Sequence, residues 1–194
     1  QRVVLQAPLE KKHRLNSFAS STPATDGRLI YVAFLEPDFS YERLRSPENQ
    51  RRGLEATPGN MVVAAYDFDG NRAWQVRPGR FASEHGFCSP PVLFEDLVIV
   101  NGDQDAAGDD TAYIVALDKA TGRERWRIDR PNRVRSYVPP VVFRAGGKDQ
   151  MVLSGSKCTA SYDPNTGRRN WIVKGPTEQF VASMVYTDGV FCIT

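Results

Sequence analysis

Ala116-Leu117-Asp118-Lys119-Ala120-Thr121-Gly122, followed four residues after the glycine by Trp126, decides the fold, because the chain writes the segment three times. The other copies run from Ala65-Tyr66-Asp67-Phe68-Asp69-Gly70 to Trp74 and from Ser161-Tyr162-Asp163-Pro164-Asn165-Thr166-Gly167 to Trp171. Together they use all 3 tryptophans, and successive copies lie 52 and 45 residues apart. That spacing is the period of a propeller blade rather than of a helical repeat. In each copy an apolar strand ends at an Asp whose carboxylate can accept amides of the following turn. The Gly (Gly70, Gly122, Gly167) supplies a positive φ, and a second strand runs to the Trp, so each unit predicts a β-hairpin. Trp74, Trp126 and Trp171 are expected to dock sheet onto sheet, burying a large apolar area while the indole N–H finds a carbonyl.

A second pattern precedes each hairpin. Ser21-Thr22-Pro23-Ala24-Thr25-Asp26-Gly27 leads into Arg28-Leu29-Ile30-Tyr31-Val32, Ser89-Pro90-Pro91-Val92 into Leu97-Val98-Ile99-Val100, and Val138-Pro139-Pro140-Val141 into Gln150-Met151-Val152-Leu153. A fourth copy starts at Ser183-Met184-Val185. Each complete unit therefore reads as four short strands, A to D, and the short apolar runs suit strands covered on both faces. The expectation is an all-β, four-stranded-blade β-propeller of about three and a third blades. Residues 1–6 form the end of a preceding blade, 14–76 a blade with a long insertion at 36–59, 85–128 and 136–173 two further blades, and 179–194 the start of the next. With both ends inside a blade, the chain reads as an internal stretch of a longer protein; association of chains into a ring is the alternative.

Ala-x-Asp-x-x-Thr-Gly-x-x-x-Trp, matched at Ala116, Asp118, Thr121, Gly122 and Trp126, resembles the tryptophan-docking repeat of quinoprotein-type propellers, named for pyrroloquinoline quinone (PQQ). The third copy keeps Asp163, Thr166, Gly167 and Trp171 with Ser161 for the Ala; the first lacks one turn residue and the Thr. The runs Asn16 to Pro23 and His85-Gly86-Phe87-Cys88-Ser89 are similar to PQQ-binding-like repeat proteins of bacteria, many of them exported. The resemblance implies a periplasmic or otherwise extracytoplasmic setting. It implies two functional classes: a non-catalytic binding or protein-interaction scaffold, similar to the lipoprotein that assists outer-membrane barrel assembly, or a PQQ- and Ca-dependent dehydrogenase. Against the second, the sequence has no adjacent Cys-Cys pair and nothing that matches the dehydrogenases' Asp base or calcium ligands.

A propeller's function concentrates at one channel mouth, built by the D-to-A and B-to-C loops. Aligning the D-to-A loops on the following strand puts Ser17, His85, Val134 and Gln179 in one row, with Arg135 in the next. His85, Arg135 and Gln179 are the candidate polar lining, with Asn16, Ser17 and Glu178 beside them, for a protein partner or a small ligand. The B-to-C loop of the second full unit, Asn101-Gly102-Asp103-Gln104-Asp105 to Asp110, concentrates oxygen donors. Asp103 and Asp105 are therefore candidate ligands for a hard cation such as Ca²⁺, although Asp and Gly at a surface turn explain the loop equally. The insertion Glu36 to Gly59 mixes Arg43, Arg45, Arg51 and Arg52 with Glu42, Glu48 and Glu55, and reads as a solvated loop or a partner-binding one.

Composition excludes more than it assigns. A net charge of +2 from 25 basic and 23 acidic residues makes a generic nucleic-acid or membrane surface unnecessary. No apolar run is long enough for a transmembrane segment. Gly-x-Ser-x-Gly, His-Glu-x-x-His and phosphate-cradling motifs are absent from the sequence. Cys88, Cys158 and Cys192 stand singly without Cys-x-x-Cys spacing and are expected to be small buried apolar groups.

Overall fold

The computed structural model describes residues 21–38, 57–83, 86–104, 112–130, 134–175 and 184–192. Repeat one comprises β1 (Ala24–Thr25), β2 (Ile30–Pro37), β3 (Thr57–Tyr66) and β4 (Arg72–Ser83). Repeat two comprises β5 (Val92–Phe94), β6 (Leu97–Gly102), β7 (Tyr113–Asp118) and β8 (Glu124–Asp129). Repeat three comprises β9 (Val141–Ala145), β10 (Lys148–Gly155), β11 (Cys158–Tyr162) and β12 (Arg169–Lys174), and repeat four begins with β13 (Val185–Thr187) and β14 (Val190–Cys192). The three complete repeats are separate four-stranded sheets in simple chain order, and every pairing is antiparallel. The fold class is all-β, a partial propeller of four-stranded blades.

Alternation along the strands explains why the sheets stack. Successive side chains of a strand point to opposite faces, so a strand buried throughout needs cover on both sides. Strands β6 and β7 are of this kind. Val98, Val100, Tyr113, Val115 and Leu117 pack toward repeat one, meeting Leu35, Met61, Val63 and Trp74. Their neighbours Leu97, Ile99, Ile114 and Ala116 pack the opposite way, onto Met151, Leu153 and Ala160 of repeat three. Each such side chain contributes about 1.5–3 kcal/mol by leaving water. Shifting β7 by one residue would exchange its two sets of partners.

Several boundaries differ from the sequence reading. The insertion expected at 36–59 begins and ends inside strands, since Glu36 pairs with Asn60 and Pro37 with Gly59. Strand β4 runs on to Ser83, through a stretch expected to be a loop, because the extended β3 offers it partners as far as Thr57. A register shift between Met61 and Val63 accommodates Arg77 and Pro78, which lack a partner in that ladder. Repeat three closes the B-to-C connection with two residues only, Ser156 and Lys157, at φ 55° and 62°, the backbone of a type I′ hairpin turn. The cysteines also divide: Cys158 is buried, Cys88 half-buried and Cys192 exposed, and none of them is in a disulfide. Position explains this, since Cys158 lies in an inner strand and Cys192 in the last described strand. Among the described residues no helix is long and apolar enough to cross a membrane.

Candidate functional site

The three turns have the local chemistry that their sequence dictates. Asp118 Oδ1 accepts from the amides of Ala120 and Thr121 and from the Thr121 hydroxyl, at 2.8–3.1 Å. Asp67 Oδ1 likewise accepts from the amides of Asp69 and Asn71, and Asp163 Oδ1 from that of Asn165. Hydrogen bonds from Thr121, outweighing the cost of burial, hold the Asp118 carboxyl below its ordinary range. Gly122 and Gly167 sit at φ 73° and 72°. A Cβ added at Gly122 would lie 2.6 Å from the Trp74 ring, and one at Gly167 2.8 Å from the Trp126 ring. The indoles then reach across: Trp74 Nε1 donates to Lys119 O and Trp126 Nε1 to Pro164 O, both at 3.0 Å. Each of these tryptophans thus lies on the turn of the next repeat.

Side chains reinforce the first junction. Lys119 Nζ bridges Asp26 Oδ2 of repeat one (3.5 Å) and the Glu95 carbonyl (2.8 Å). Backbone amide bonds to Asp26, led by that of Leu29, pull its carboxyl down to about 2 against the opposing effect of burial. Burial and the Asp26 bond raise the Tyr31 phenol. Gln104 Oε1 accepts from the Ala82 amide (2.8 Å) while its Nε2 donates to Arg80 O (3.0 Å), tying repeat two to β4. Arg127 lies 4.6 Å over the Tyr113 ring and donates to Pro78 O and Glu124.

The second junction contains a buried ion pair. Arg130 Nε and Nη2 donate to the two oxygens of Asp103 at 2.8 and 3.3 Å, with both side chains fully sealed from solvent. Two further donors are used: Nη1 reaches the Tyr162 hydroxyl (2.9 Å), and Nη2 also reaches Gly155 O (3.1 Å). Asn101 donates to Val138 O and accepts from the Asp103 amide. Burial pulls the Arg130 guanidinium downward, but the charge of Asp103, with Tyr162, outweighs it and raises the group above the ordinary arginine value. Such a network is tolerated in the interior because nearly every donor has an acceptor.

Of the residues singled out for the mouth, Asn16, Ser17, His85, Glu178 and Gln179 lie outside the described residues, as does Asp105. Arg135 is described and buried, next to Ser136. The structure brings the 134–136 segment and Asp103 to the same place, since a Cβ on Gly155 would meet Ser136 Oγ at 2.0 Å and Asp103 Oδ2 at 3.6 Å. Asp103, a candidate cation ligand in the sequence, has both of its oxygens on the Arg130 guanidinium. Among the described residues no group of three His, Cys, Asp or Glu could hold a metal ion. Arg130 went unrecognised in the sequence, although Gly102, Tyr113 and Asp129 are register partners across the sheet. That register puts residues 103, 112 and 130 at one sheet end, where an Asp and an Arg are natural partners.

These features define a class: antiparallel blades fastened by a tryptophan lying on the next blade's glycine turn, a PQQ-repeat type of β-propeller. Residues 59–191, about two thirds of the chain, match the family model described as outer membrane protein assembly factor BamB, and the chain belongs to that family. Solved structures similar to it include quinohemoprotein alcohol dehydrogenase from Comamonas testosteroni (19% identity, TM-score 0.49, 86% of this chain and 22% of that one). BamB from Moraxella catarrhalis is similar at 18% identity and TM-score 0.44, over 62% of this chain and 34% of that one. A europium-containing methanol dehydrogenase is similar at 18% identity and TM-score 0.48, over 82% and 26%. The chain thus spans between 22% and 34% of the length of these proteins. No curated protein matches the chain significantly.

Proposed function

We propose that this propeller is a non-catalytic scaffold that binds a protein partner at its channel mouth. The observation that carries the reading is the employment of Asp103: the one described acidic side chain of the oxygen-rich loop is committed to Arg130, whose guanidinium in turn reaches Tyr162 and Gly155 of repeat three. A carboxylate so engaged has a structural role, and its neighbours Asn101, Tyr162 and Gly155 are engaged in the same way. The family description, an assembly factor of the outer membrane, supports a protein as the ligand and an extracytoplasmic setting. By the alignment of the loops in sequence, Asn16, Ser17, His85, Glu178 and Gln179 would form the polar rim that such a partner meets, whereas Arg135 is buried. Trp74 and Trp126 serve as the fasteners between blades.

Isothermal titration of PQQ into the chain, with and without Ca²⁺, followed by an alcohol dye-reduction assay, tests the proposal. The expected result is no saturable heat and no turnover. Saturable binding accompanied by dye reduction would replace the scaffold with a dehydrogenase.

A further inference from the structure

We draw no further inference here: the strongest candidate, the cavity of about 500 Å³ beside Trp171 between the β9–β10 and β11–β12 turns, carries nothing, because nothing in the structure shows what covers it.

Discussion

Trp126 and Trp171 occupy the same place in consecutive repeats, yet Trp126 is 9% exposed and donates across a sheet boundary, while Trp171 is half-buried and bonds within its own sheet. Both segments keep the Asp, Thr, Gly, Arg and Trp of the repeat; what differs, among the described residues, is whether a neighbouring turn lies on the ring. The repeat therefore supplies the fastener, and the adjacent blade supplies its energy. Junction two adds a second device, the sealed Arg130–Asp103 pair of repeat two, whose guanidinium also bonds Tyr162 and Gly155 of repeat three.

The largest expected effects fall on that closed junction. Arg130→Met should cost about 3–5 kcal/mol by leaving Asp103 as an uncompensated buried charge, seen as a lower urea midpoint at constant slope. Adding Asp103→Asn should recover part of the loss, because the stranded charge is then gone. No loss in Arg130→Met would show that the pair has no bearing on the junction. Trp126→Ala should likewise cost about 3–5 kcal/mol, whereas Trp171→Ala should cost about 1 kcal/mol, as for a partly exposed side chain. Equal losses for the two tryptophans in thermal melts would break the comparison.

A smaller effect separates steric closeness from backbone strain. Gly122→Ala combines a left-handed φ with a Cβ against Trp74 and should cost about 1–3 kcal/mol. Gly27→Ala, at φ 84° with nothing within 4 Å of the added Cβ, should cost only about 1 kcal/mol from strain. If both substitutions cost the same, Trp74 does not press on its turn. The smallest expected effect is electrostatic. The folded Asp26 carboxyl titrates at about 2 against an ordinary value of 3.8. A depressed folded value means a contribution present in full above about pH 4 and lost as pH falls through about 2. Asp26→Asn should flatten that acid limb of stability, and an unchanged limb would remove Asp26 from the first junction's energetics.

Much of the architecture was legible before any coordinates, for a physical reason. The Asp turn acts over four or five residues, and the Asp-to-Gly spacing together with apolar strands is enough to predict the hairpins centred on residues 67–71, 118–123 and 163–168. Strand ends were less legible: Glu36, Pro37 and the 77–83 stretch look like loop by composition, and only partners in β3 make them strands. The candidate site was the least legible. Asp103 looks like a cation ligand beside Asp105 and Asp109. It becomes one half of an ion pair because the register of β6, β7 and β8 brings Arg130 to the same sheet end.

From sequence alone, this protein was determined as a stack of four-stranded repeats, each with a glycine turn and a tryptophan ready for a neighbour, since hydrogen bonding within a turn and alternation along a strand are local. The tertiary structure alone decided which tryptophans are covered and which carboxylate is neutralised. Burial and charge pairing depend on what lies across the sheet, and residues far apart in the chain meet there only after the blades have packed.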